Sequence, residues 1–184
     1  PLQDFDLIAF SVSFENDYLH LPTIFRLGKI PLFAAERDET HPLILFGGVC
    51  AFLNPEPLAD IVDLVAVGEA EPILPDLFDI LVSHKEDRER AFDQLVALPG
   101  VYLPSRYEIK YQADGTVAAM LPHPGAPEKV TRQYLKNLNN SPSHTFIQTE
   151  DTEFGDMSLT EISRGCSRGC RFCAAGYLYL PPRD

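Results

Sequence analysis

PLILFGGVCAFLNPEPLADIVDLVAVGEAE, residues 42–71, is the stretch that decides the fold. It opens on a short run of Leu, Ile and Phe without alternation, stops at Gly47 and Gly48, resumes as LVAV over residues 64–67, and stops again at Gly68. Runs of that length, apolar at every position, predict strands buried on both faces. Between them, Asn54 and Pro55 supply a start signal for a helix running to Ile61.

Outward from this unit the alternation continues. DLIAFSVSF, residues 6–14, predicts a third buried strand, and residues 16–29 carry Tyr18, Leu21, Phe25 and Leu27 at helical spacing, interrupted by Pro22. An amphipathic helix is predicted over 71–82 and a charged one over 85–98. Strand, helix, strand, helix, strand, helix implies an α/β, doubly wound parallel sheet of Rossmann-like type over residues 1–100, with right-handed crossovers. Ligands of such sheets lie off the carboxyl ends of the strands. Those ends are residues 11–14, 47–50 and 68–71, with Gly68 and Glu69 among the candidates. Cys50 reads as a packed small side chain, and Glu69 and Glu71 suit a helix start, where carboxylates meet the dipole.

After residue 100 the pattern changes. Residues 101–103, 107–112 and 116–121 alternate like strands, with Ala113, Asp114 and Gly115 as the turn, so a small antiparallel hairpin is predicted inside a connecting region over 101–156. Residues 122–156 read as a linker with a short helix and a strand near Phe146. A last strand, 157–163, runs into the final segment, 157–184.

Hydrophobic residues make up 45% and charged residues 23% of the 184, and no run approaches the roughly 18 apolar residues of a membrane span. A cytoplasmic protein is expected. The chain opens on Pro1 close to a core strand, so the natural start is expected upstream. The net charge of -12, concentrated in residues 1–100, has the wrong sign for a nucleic-acid partner. Near the end Arg164, Arg168, Arg171 and Arg183 form a local basic patch suited to an anionic ligand.

Three of the four cysteines, Cys166, Cys170 and Cys173, fall within eight residues, which reads as metal binding rather than as a disulfide scaffold. Spacings of three and two intervening residues, with Gly165 and Gly169 allowing tight curvature, can bring three thiolates to one cluster. A fourth thiolate is absent nearby, so one metal position stays open. A structural zinc site completed by His123 or His144 is the alternative.

CSRGCRFC, with Phe172 before the last cysteine, resembles the signature of the radical S-adenosylmethionine (SAM) family. The resemblance implies that Cys166, Cys170 and Cys173 ligate a 4Fe-4S cluster whose open iron binds SAM, with Phe172 close to the adenine. It also implies an external electron donor, reductive cleavage to a 5'-deoxyadenosyl radical, and an enzyme of oxidoreductase or methyltransferase type acting on an unidentified substrate. In that family the loop follows the first strand of a partial barrel, matching residues 157–163. FSVS, GG and VGEAE in the front half resemble the cobalamin-binding-like domain found before the barrel in one group of these enzymes. By that resemblance Ser11, Ser13, Gly47 and Gly48 line the cobalamin tail, although no Asp-x-His-x-x-Gly segment occurs in the chain. The whole-chain order is similar to bacterial Fe-S oxidoreductases related to the anaerobic magnesium-protoporphyrin monomethyl ester oxidative cyclase. A barrel needs about 200 further residues, so these residues alone are expected to be inactive. A module binding cobalamin or a nucleotide-like ligand, with structural zinc, is the second reading.

Overall fold

A computed structural model describes residues 1–184, which divide into two compact units, Pro1–Tyr134 and Leu135–Asp184. No helix is long and apolar enough to cross a membrane.

The first unit is built on a four-stranded sheet of order β1-β2-β3-β4, with β1 Leu7–Ser11, β2 Leu43–Gly47, β3 Leu64–Ala66 and β4 Val101–Tyr102. β1, β2 and β3 run parallel, in register Leu7 to Leu43 and Leu45 to Leu64. β4 pairs antiparallel with β3, Val65 opposite Tyr102, so residues 101 and 102 complete the main sheet instead of joining the hairpin. The reason lies in the path between them. Helices α3 Leu74–Ser83 and α4 Arg88–Leu95 form a helical hairpin, and a chain that goes out and back returns beside β3 in the opposite sense.

Alternation along the strands sorts the core. Ile44, Phe46, Val65 and Tyr102 face helices α1 Leu21–Gly28 and α2 Val49–Leu53, while Leu43, Leu45, Leu64, Ala66 and Val101 face α3 and α4. Period-two side chains on a sheet covered on both faces are why these runs show no polar positions. Each large side chain buried this way contributes on the order of 1.5–3 kcal/mol.

Two predicted helices are shorter than their spacing implied. Residues 15–20 form a 3-10 helix, with α1 starting only at Leu21, because Pro22 cannot continue a helix entered from upstream but fits its first turn. The helix expected over 54–61 is replaced by α2 and a 3-10 turn, Glu56–Leu58. Asn54 precedes Pro55 and is extended, at φ -160 and ψ 100, which ends α2 there.

One polar pair is sealed into this unit. Arg37 Nη2 donates to Asp63 Oδ2 at 3.0 Å and to the Ile61 carbonyl, and Nη1 donates to the Pro31 and Leu32 carbonyls. The Ile44 N–H donates to the same Asp63 oxygen at 2.7 Å. Four backbone groups, the Pro31, Leu32 and Ile61 carbonyls and the Ile44 N–H, thus converge on one guanidinium and one carboxylate, which fixes the entry to β3 against β2.

At the surface nearby, Asp38 Oδ1 accepts from the Thr40 hydroxyl at 2.6 Å and N–H at 2.9 Å, with His41 Nδ1 at 2.8 Å. These bonds, Thr40 first, hold the Asp38 carboxyl down at about 2. A depressed folded pKa means the contribution is complete above the unfolded value of about 3.9 and is lost as pH falls through about 2. We expect the Asp38 carboxyl carbon resonance to titrate near pH 2 and to shift toward the ordinary carboxylate range in Thr40→Val; an unmoved midpoint removes Thr40 as the cause.

The hairpin β5 Tyr107–Tyr111 and β6 Val117–Pro122 forms as expected, its turn closed by Gln112 N–H to the Thr116 carbonyl at 2.7 Å. Arg106 at its base donates to Glu89 and Asp93 on α4.

In the second unit, the strand expected over 157–163 is reduced to local pairing. Thr160 bridges His144 antiparallel, Thr145 N–H donates to the Leu159 carbonyl, and Glu161 N–H donates to the Ser143 carbonyl. A strand persists only against a ladder partner, and the partner these residues meet is the short segment 143–145.

Candidate functional site

The predicted residues fall in two places. At the strand ends of the first unit, Ser11 closes β1 and is exposed, as is Ser13, with buried Val12 between them. Val12 N–H donates to the Gly47 carbonyl at 3.0 Å, and its carbonyl accepts from Cys50 N–H at 3.2 Å. Gly48 sits at φ +89, and a Cβ there would stand 2.5 Å from the Val12 carbonyl oxygen. Gly48 is therefore glycine because the chain crosses itself at Val12. Gly68, at φ +134, meets the Gln133 backbone so closely that a Cβ would stand 2.1 Å from its oxygen. Gln133 N–H donates to the Val67 carbonyl and its own carbonyl accepts from Glu69 N–H, so residue 133 lies as a one-residue strand on the carboxyl end of β3.

The close backbone approaches at Gly48 and Gly68 are thus taken by the chain itself, whereas a Cβ at Gly47 would meet nothing nearer than 3.9 Å. Glu69 and Glu71 lie in the turn before α3, which begins at Leu74. Cys50 is packed in the core, as a small side chain should be. Gln133 carried no signal in its own residue type; only its long-range pairing reveals it.

The cysteines lie in a closed loop of the second unit. Arg164 and Arg183 exchange both backbone hydrogen bonds at 2.8 Å, tying a neck from which residues 165–182 project. Gly165, at φ +99, lets the chain turn against the Tyr179 carbonyl, 2.4 Å from where a Cβ would be. Gly169 adopts φ +60. Cys173 N–H donates to the Cys170 carbonyl at 3.1 Å, which closes the turn joining those two thiols. A short helix, α5 Ala175–Leu178, follows, and its buried Gly176 packs on Gly169.

The basic patch divides by role. Arg164 is clamped bidentately by Glu161, at 2.8 and 2.7 Å, and Arg183 donates to the Leu135 and Pro181 carbonyls, so both build the neck. Arg168 and Arg171 are exposed on the loop, beside Phe172 at 92% exposure. The Glu161 and Arg164 spacing of three residues was the one sequence signal for this clamp.

Cys166, Cys170 and Cys173 are free, partly exposed thiols. As a donor set they fit an iron-sulfur cluster: three soft ligands on one curled loop, with glycines where the backbone turns most. The loop does not gather them, since no three Cys, His, Asp or Glu side chains stand within reach of one metal ion.

Residues 1–104 match the family described as "Radical SAM proteins, N-terminal". The chain is also similar to an uncharacterized protein of Methanocaldococcus jannaschii, 29% identical over 183 residues. That alignment covers 99% of this chain and 33% of the relative, so the chain spans about a third of the length of the protein it matches. No solved structure matches it.

Proposed function

The chain belongs to the radical SAM protein family, and on that premise we propose that Cys166, Cys170 and Cys173 hold a 4Fe-4S cluster that binds and reductively cleaves SAM in the complete protein. The observation that carries this reading is the loop itself: three accessible thiols on a segment closed at the Arg164 and Arg183 neck. When bound, such a cluster supplies one-electron reduction of the SAM sulfonium at an iron free of protein ligands.

The residues of the chain provide the setting. Gly165 and Gly169 allow the backbone curvature that convergence of the thiolates requires. The Glu161 clamp fixes Arg164 and with it the first position of the loop. Phe172, fully available on the loop, offers an aromatic face to the adenine, and Arg168 and Arg171 offer charge to the SAM carboxylate or to an external electron donor. The reaction class is oxidoreductase or methyltransferase.

Anaerobic reconstitution of the chain with ferrous iron and sulfide tests the assignment. About four iron and four sulfide per chain, with a brown chromophore, are expected. Colourless binding of one zinc in preference, without sulfide, overturns it in favour of a structural metal module.

A further inference from the structure

A cavity of about 310 Å³ opens in the first unit at the carboxyl ends of β2 and β3, roofed by the hairpin and residues 128–130. That size lies at the lower end of small-ligand pockets, suited to one or two rings. Its walls are largely apolar, with Val67 and Met120 among them, and include the aromatic side chains Phe52 from α2, Tyr102 from β4 and Tyr107 from β5. The Tyr102 and Tyr107 rings pack on each other, 5.1 Å apart at 56°, and Tyr102 is almost wholly covered, so Tyr107 and Phe52 present the open aromatic surface.

The polar groups are few and mostly anionic, Glu56 and Glu128 against Lys129. Tyr102, 3% exposed, donates its hydroxyl to Glu56 Oε1 at 2.6 Å. That bond orients the carboxylate from below, while Oε2 accepts no hydrogen bond from the chain. Tyr107 donates to the Pro127 carbonyl at 2.9 Å, which ties down the segment carrying Glu128. An oriented carboxylate with an unused oxygen, set among ring faces, has the chemistry that recognises a flat cation: hydrogen bonds to the charge and quadrupole attraction to the ring. The chain's net charge of -12 adds the same preference.

We propose that this cavity binds a small planar aromatic cation, with its amidinium or amino group on Glu56 and its ring against Tyr107 and Phe52. The proposed site is built from residues of the first unit alone.

Calorimetric titration of the 184-residue chain with benzamidine, and with the neutral isostere benzamide, tests it. Benzamidine is expected to bind, and benzamide to bind at least about tenfold more weakly, the loss typical of a charge-assisted contact. Glu56→Gln still accepts from Tyr102, so it is expected to keep the fold and weaken benzamidine by about tenfold. Glu128→Gln, at an exposed position, is expected to weaken it by a smaller factor without touching the core, and decides the matter with the benzamide comparison should Glu56→Gln fail to fold. No benzamidine binding, equal affinity for benzamide, or affinity unchanged in both variants overturns the proposal.

Discussion

Replacing any one of Cys166, Cys170 and Cys173 by Ala is expected to reduce iron and sulfide incorporation from about four each per chain to less than about one. Three thiolates are the whole donor set this loop offers, and a cluster held through two protein ligands has neither the charge balance nor the geometry to persist. The same substitutions are expected to leave stability within about 0.5 kcal/mol, because the three side chains are partly exposed and pack against little. Cys50→Ala is the control with the opposite signature. Cys50 is 1% exposed, and burial first, with Cys50 after it, pushes the Tyr18 phenol up to about 12, so the loss of Cys50 is felt in the core and not in metal content. Full iron and sulfide in all three single variants would remove the assignment of the loop.

Asp63→Ala is expected to destabilise the first unit by about 3–5 kcal/mol, the range found when one partner of a buried ion pair is removed. Both side chains are almost wholly enclosed, at 0% and 8% exposure. Burial pushes the Asp63 carboxyl up and the Arg37 guanidinium down, opposed in each case by the partner. Removing the carboxylate leaves a guanidinium that cannot shed its proton, and it also leaves the Ile44 N–H without an acceptor. Urea unfolding reads this as a lower midpoint at unchanged slope. The double variant Arg37→Met with Asp63→Leu is expected to recover only the part of the loss that comes from the stranded charge, since the Ile44 N–H and the Pro31, Leu32 and Ile61 carbonyls still lose their partners. A loss below about 1 kcal/mol in Asp63→Ala would show that the pair is solvated in solution.

The strands around Leu43 and Leu64 were legible because a sheet covered on both faces leaves its periodic mark in consecutive residues, whereas β1, expected to be buried in the same way, lies at the sheet edge with none of its five residues buried. Helix limits were less so. Pro55 reads as a start signal and Pro22 as an interruption, yet each also restricts the residue before it, and packing decided which effect set the boundary. The pairing of β4 with β3 was hidden, because residues 101–103 alternate in the same way as the hairpin strands that follow. At the site, cysteine spacing marked the three thiols that share one loop, while Gly48 and Gly68 signalled a close backbone approach without saying that Val12 and Gln133 make it.

The order of residues alone sets the layers of this protein and places three thiols on one loop, because strand period, glycine curvature and thiol spacing are constraints among near neighbours. Tertiary structure alone decided that Val12 and Gln133 fill the space beside Gly48 and Gly68, that Arg183 closes the neck on Arg164, and that Tyr102 reaches Glu56 across a cavity. Each of these joins residues far apart along the chain, and such meetings depend on how whole elements pack, a quantity no local stretch of residues carries.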